Sequence, residues 1–149
     1  MKDKQINILL ADDDRDDCEF FKIALNALPL NTQLEMVGDG EQLMNYLNEN
    51  SENLPDVLFL DINMPRKSGI ECLFEIKGNE KLKNLSVVVL STSNSQDKIN
   101  MVFKMGGHVY VHKPSDFGQL KQVILHALPI AVENEFSKGS LKYILNAWK

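Results

Sequence analysis

Residues 8–17 read ILLADDDRDD, an apolar run that ends in five aspartates among six residues. The run Ile6–Ala11 is short, continuous and rich in branched side chains, which suits a strand buried on both faces and therefore a parallel sheet. Carboxylates crowded where such a strand ends repel one another unless solvent, a helix N-terminus or a cation offsets them. Val57–Leu60 (VLFL) and Val87–Leu90 (VVVL) repeat the strand pattern, and Gln33–Val37 and Val109–His112 carry weaker forms of it.

Helical spacing fills the intervals. Phe21, Ala24, Leu25 and Leu28 share one face, and Pro29 closes that helix. Leu43, Met44 and Leu47 share another, as do Ile70, Leu73 and Phe74, then Ile99, Val102 and Phe103, and finally Leu120, Val123, Ile124 and Ala127. Asp39, Ser68, Ser95 and Asp116 stand where N-caps belong. Five strand–helix units in this order predict an α/β fold: a doubly wound five-stranded parallel sheet with right-handed crossovers and helices on both faces. The tail from residue 128 to 149 reads as a C-terminal extension, with Leu141, Ile144, Leu145 and Trp148 spaced for one more amphipathic helix. It is too short for an output domain.

Composition narrows the function. The chain has 149 residues, 44% of them hydrophobic and 25% charged, the profile of one globular domain. A net charge of −5 without a basic stripe argues against nucleic acid as a partner. No segment approaches the roughly 20 apolar residues needed to span a bilayer, and the N-terminal apolar run is too short for a signal peptide. Cys18 and Cys72 fall in separate helices and read as thiols of a reducing cytoplasm. His108, His112 and His126 lack metal-ligand spacing and read as structural or exposed. Asp14, Asp16 and Asp17 fall at the start of the first helix and read as solvated charges that complement its macrodipole.

In an open α/β sheet, ligands bind beyond the carboxyl ends of the strands. Strand 1 ends in Asp12 and Asp13, strand 3 in Asp61, strand 4 in Ser91 and Thr92, and strand 5 in Lys113 and Pro114. Three carboxylates, a hydroxyl and an amine from four strands converge on one rim. Mg²⁺, a hard cation, takes oxygen ligands and is commonly held by one or two carboxylates with water and phosphate oxygens. A carboxylate is also a competent nucleophile toward phosphorus, forming an acyl phosphate. Phosphoryl transfer then requires mainly positioning and neutralisation, which an ammonium and a hydroxyl assist.

At this point four segments, ILLADDD, DINMPRKSG, VVVLSTS and YVHKP, resemble the signatures of response-regulator receiver domains, the phospho-acceptors of two-component signalling. Ser91 follows Asp61 by 30 residues and Lys113 follows it by 52, spacings that also match. The resemblance covers residues 5–127. It implies a flavodoxin-like (βα)5 domain with strand order 2-1-3-4-5. It also implies that Asp61 is phosphorylated and that Asp12, Asp13, Asp61 and the Asn63 backbone carbonyl surround Mg²⁺, with Mn²⁺ as a substitute. Ser91, with Thr92 beside it, takes the switch position, Lys113 contacts the phosphate, and Tyr110 takes the aromatic switch position. Asn63 and Ser93 occupy positions that tune phosphoryl lifetime, and Lys113–Pro114 is expected to be cis.

The same resemblance implies a signalling domain rather than an enzyme acting on other molecules. Its partners would be a sensor histidine kinase or a histidine phosphotransfer protein, and a downstream protein. The region from Pro65 to Ser93 looks most like stand-alone receivers of phytochrome-type or hybrid kinases. Homodimers would form through the face of helix 4, strand 5 and helix 5, or through the extension. Two rivals keep part of the pattern. A haloacid-dehalogenase-type phosphatase needs a second aspartate where Asn63 stands, and lacks room here for its cap. A receiver-like adaptor would keep the fold without phosphorylation. A nucleotide switch is disfavoured, because no glycine-rich phosphate loop occurs.

Overall fold

The computed structural model describes residues 4–93, 95–107 and 109–132, and a strand at 143–145. Strand and helix alternate as β1 (Ile6–Ala11), α1 (Arg15–Asn26), β2 (Thr32–Val37), α2 (Gly40–Glu49), β3 (Val57–Asp61), α3 (Gly69–Lys77), β4 (Val87–Ser91), α4 (Gln96–Lys104), β5 (Val109–His112), α5 (Phe117–Val132) and β6 (Tyr143–Leu145). All neighbouring strands are parallel, in the order β2-β1-β3-β4-β5-β6. The expected order 2-1-3-4-5 is therefore present, with a sixth strand added at the β5 edge.

Side chains alternate across the pleat and split the core in two. Ile8, Leu10, Phe59, Leu90 and Val111 pack against Phe21, Leu25, Val123 and Ile124 of α1 and α5. Leu9, Leu58, Leu60, Val89 and Tyr110 face Leu43, Leu47, Leu73 and Val102 of α2, α3 and α4. The central strands β3 and β4 are buried at every residue, which is why they read as unbroken apolar runs.

Caps set the helix starts. Asp39, Ser68 and Ser95 accept backbone N–H bonds from Gln42, Glu71 and Lys98, and Ser68 with Glu71 closes a reciprocal capping box. The Asp116 carboxylate accepts from the Gly118 N–H at the start of α5.

Three expectations are corrected. Phe74 is 64% exposed, because the buried face of α3 runs through Cys72, Leu73 and Ile76. Helix α5 continues through Pro129 to Val132, burying Leu128 and Ala131, and the Ser86 hydroxyl donates to the Ala131 carbonyl at 2.9 Å. The extension is not helical throughout: Tyr143, Ile144 and Leu145 pair with Val109, Tyr110 and Val111. An edge strand offers unpaired backbone groups, and a Tyr-Ile-Leu triplet suits a strand better than a lone helical turn. The rest of the extension, including Trp148, and His108 lie outside the described residues.

Candidate functional site

Register brings four strand ends level. Ala11 of β1 stands beside Leu60, Asp61 beside Leu90, and Ser91 beside His112. Asp12, Asp61, Ser91 and Lys113 therefore lie within a residue or so of the same sheet edge.

Local hydrogen bonds aim the acids. The Asp12 N–H donates to the Val37 carbonyl (3.1 Å), extending the β1–β2 ladder by one residue, and its Oδ1 accepts the Asp14 N–H at 3.0 Å. Asp14 in turn caps α1, accepting from the Asp16 and Asp17 N–H groups at 2.9 and 3.1 Å. Asp61 Oδ1 accepts the Asn63 N–H at 3.1 Å, and the chain then returns so that the Gly69 N–H meets the Ile62 carbonyl at 3.1 Å. A Cβ at Gly69 would overlap the Asp61 carbonyl oxygen and the Ile62 Cα. The absence of a side chain at 69 is what lets α3 start directly against the strand that carries Asp61.

Asp12, Asp13 and Asp61 each present a carboxylate oxygen, all within 4.8 Å of one another. Asp12 and Asp61 are buried, at 2% and 6% exposure, whereas Asp13 is exposed. Oxygen-only donors at this spacing, open to solvent on one side, fit a hard divalent cation that keeps some of its water. Lys113 Nζ sits opposite, 2.6 Å from Asp12 Oδ2, 2.9 Å from Asp17 Oδ2 and 3.7 Å from Asp61 Oδ2.

The charges show in proton affinity. Burial pushes the Asp61 carboxyl up to about 6 and neighbouring Asp12 adds to this, while Lys113 and the Asn63 N–H pull it down. Burial works against the charge on Lys113, but hydrogen bonds to Asp12 and Asp17 and the nearby Asp61 hold its pKa above the ordinary lysine value.

The other half of the rim is neutral. Ser91 is fully buried and its Oγ accepts the Ser93 N–H at 3.0 Å; Ser93 Oγ accepts the Ser95 N–H at the same distance. The buried Tyr110 ring sends its hydroxyl to the Ser93 carbonyl at 2.8 Å, and His112 Nε2 lies 3.1 Å from the Thr92 carbonyl. Thr92 itself is exposed. Residues 110 and 112 share one face of β5, so both reach the same β4–α4 loop. The Lys113–Pro114 bond is trans, against expectation. A trans bond is the lower-energy form of most X–Pro pairs, and the lysine amine reaches the acids from it.

Sequence reasoning placed Asp12, Asp13, Asp61, Ser91 and Lys113 on one rim, and the structure brings them there. It missed Asp17, read as a solvated helix-start charge. Asp17 is the third residue of α1, where Cα–Cβ bonds tilt toward the helix N-terminus and hence toward the rim. That geometric signal was available. The reach of His112 to Thr92 was not, since it depends on where the β4–α4 loop lies.

Comparison with known proteins follows the same lines. The family model of the response regulator receiver domain matches residues 8–125. Response regulator Rcp1 of Synechocystis is 31% identical over 121 residues, covering 78% of this chain and 82% of Rcp1. The probable methanogenesis regulatory protein FilR2 of Methanothrix harundinacea is 31% identical over 120 residues, covering 78% of this chain and 77% of FilR2. Among solved structures, the phosphorylated cyanobacterial phytochrome response regulator RcpA superposes with a TM-score of 0.78 at 32% identity, over 87% of this chain and 95% of RcpA. The Mn²⁺-bound form of Rcp1 gives 0.75 at 29% identity, over 86% and 95%.

Proposed function

The chain belongs to the response regulator receiver domain family of two-component signalling, and from that premise we propose that Asp61 is its phosphoryl acceptor. One observation carries this reading. Asp61, the buried last residue of β3, stands in an acid cluster open to solvent at Asp13, with the Lys113 ammonium 3.7 Å from its Oδ2. A carboxylate so placed has positive charge at hand for a phosphoryl group arriving in line.

The donor is a phosphohistidine on a sensor kinase, of phytochrome or hybrid type, or on a phosphotransfer protein. An Asp61 oxygen bonds to phosphorus, the P–N bond breaks, and the imidazole leaves with the bonding pair; water later cleaves the acyl phosphate. Asp12, Asp13, Asp61 and the Asn63 carbonyl would hold Mg²⁺, with Mn²⁺ as a substitute; the similar Rcp1 has been solved in a Mn²⁺-bound form. When bound, the cation offsets the charge of the acids and of the incoming phosphoryl group. Lys113 meets a second phosphoryl oxygen, and Ser91, with Thr92 beside it, supplies the hydroxyl that follows the added charge. Asn63, exposed beside the acceptor, and Ser93, within the β4–α4 loop, govern water access and hence lifetime.

The domain catalyses only its own phosphorylation and dephosphorylation and works in the cytoplasm. Among the described residues, no helix is long and apolar enough to cross a membrane. Tyr110 and His112 link β5 to the β4–α4 loop, so a shift of Ser91 is felt on the face of α4, β5 and α5. That face, with β6 along its strand edge, is where a downstream protein or a second copy would read the signal. Incubation with acetyl phosphate and Mg²⁺, followed by intact mass, tests the proposal. One added phosphoryl group that is absent in Asp61→Asn supports it; no gain in the wild-type chain favours an adaptor that binds without phosphorylation.

A further inference from the structure

The Lys113 amine is shared more widely than the acceptor site requires. Its two shortest contacts are Asp12 at 2.6 Å and Asp17 at 2.9 Å, with Asp61 farther off at 3.7 Å. Asp17 differs from the other two acids. It comes from α1 rather than from a strand end, it is 44% exposed, and it lies outside the three-carboxylate group that fits a cation. Its backbone N–H is fixed to the Asp14 cap at 3.1 Å, so the side chain projects from an anchored first turn.

We infer that Asp17 is a positioning residue that tethers the Lys113 amine toward α1 and so restrains phosphoryl uptake. The inference rests on Asp61 being the acceptor. An ammonium has three N–H donors, and here two are directed at carboxylates before any phosphoryl group arrives. A phosphoryl group on Asp61 brings negative charge that draws on the same donors, and the Asp17 bond must yield. Asp12 cannot be spared in this exchange, because it also belongs to the cation cluster. Asp17 opposes the transfer twice, by occupying the amine and by repelling the incoming anion. It does neither through the cation.

Asp17→Asn keeps the size and the helix position while removing the charge. With acetyl phosphate and Mg²⁺ at low ionic strength, its initial rate of phosphoryl uptake is expected to rise about two- to fivefold, the range of a partly exposed ion pair. The gain should shrink in roughly 1 M salt, where screening acts over about 3 Å. Asp17→Glu, which keeps the charge, should stay near the wild-type rate. A merely structural role of Asp17 would give neither the salt dependence nor the rescue.

A second measurement needs no phosphoryl donor. Labelling of Lys113 by an amine-reactive ester, mapped by peptide mass, should speed up in Asp17→Asn and not in Asp17→Glu. Uptake in Asp17→Asn equal to or slower than wild type overturns the restraint, and unchanged labelling overturns the tether. A wild-type chain that takes up no phosphoryl group would defeat the acceptor reading and the restraint with it, while the labelling still decides whether Asp17 holds the amine.

Discussion

The two halves of the rim are built on different physics. At the ends of β1 and β3, three carboxylates lie within 4.8 Å of one another, and two of them, Asp12 and Asp61, lean on the Lys113 ammonium. At the ends of β4 and β5, the loop from Ser91 to Ser95 is tied by neutral hydrogen bonds near 3 Å, from the Ser93 and Ser95 N–H groups and the Tyr110 hydroxyl. The acid half holds repulsion that the Lys113 ammonium and backbone N–H groups offset, so its behaviour should follow cations and pH. The hydroxyl half is held by bonds of about 1 kcal/mol each, weak enough to be exchanged when charge appears beside them. On the proposed reading, the first half is where chemistry occurs and the second is where the molecule responds.

Removing an acid breaks the comparison hardest. Asp13→Asn should weaken Mg²⁺ binding by roughly 10- to 100-fold or more, since even indirect partners of metal ligands have effects of that size. Asp16→Asn should change it by less than about twofold, because an exposed helix-start charge contributes little. Calorimetric titration reads both, and equal losses would show that the acids act as a diffuse field.

Moving Asp61, the proposed acceptor, comes next. Gly69→Ala forces a methyl group against the Asp61 carbonyl and the Ile62 Cα. Destabilisation of about 1–3 kcal/mol in urea unfolding is expected, with slower phosphoryl uptake. A variant as stable and as reactive as wild type would mean that the β3–α3 turn gives way without disturbing Asp61.

The pH dependence separates the halves. The Asp61 carboxyl is pushed up to about 6, above its ordinary 3.8, by burial and by Asp12. Below about 6 a proton competes with the cation, so Mg²⁺ affinity should fall about tenfold per pH unit as pH drops. For the metal-free chain the sign is opposite in stability. Between about 4 and 6 the folded state holds a proton that the unfolded chain has shed, so the contribution of Asp61 to stability declines as pH rises through that window. Asp61→Asn should flatten that part of the profile; an unchanged slope would remove Asp61 as its source.

The smallest expected effect lies in the hydroxyl half. Tyr110→Phe keeps the buried ring and deletes one bond to the Ser93 carbonyl. A loss near 1 kcal/mol in stability is expected, with Mg²⁺ affinity unchanged. A large change in metal binding would show that the halves are coupled before any phosphoryl group is present.

Much of this was written locally. The unbroken runs at 57–60 and 87–90 announced buried parallel strands, and the polar residue ending each strand announced the rim, because a parallel sheet places all its carboxyl ends on one edge. Caps at Asp39, Ser68 and Ser95 were legible for the same reason, as each bonds within its own first turn. What depended on distant contacts was not legible. Phe74 fits a helical apolar stripe, yet the burial of α3 is set by which neighbours reach it, and Phe74 faces out. Residues 143–145 pattern as part of a helix, but the open edge of β5 recruits them as a strand. Asp17 looked like one more solvated charge until folding brought Lys113, 96 positions away in the chain, to 2.9 Å. The sequence by itself determined the five core strands, the caps at Asp39, Ser68 and Ser95, and the acids that end β1 and β3, because those follow from periodicity and bonds between near neighbours. Only the tertiary structure decided how one ammonium is divided among three carboxylates, because that division is a matter of distance in space and the chain order carries no record of it.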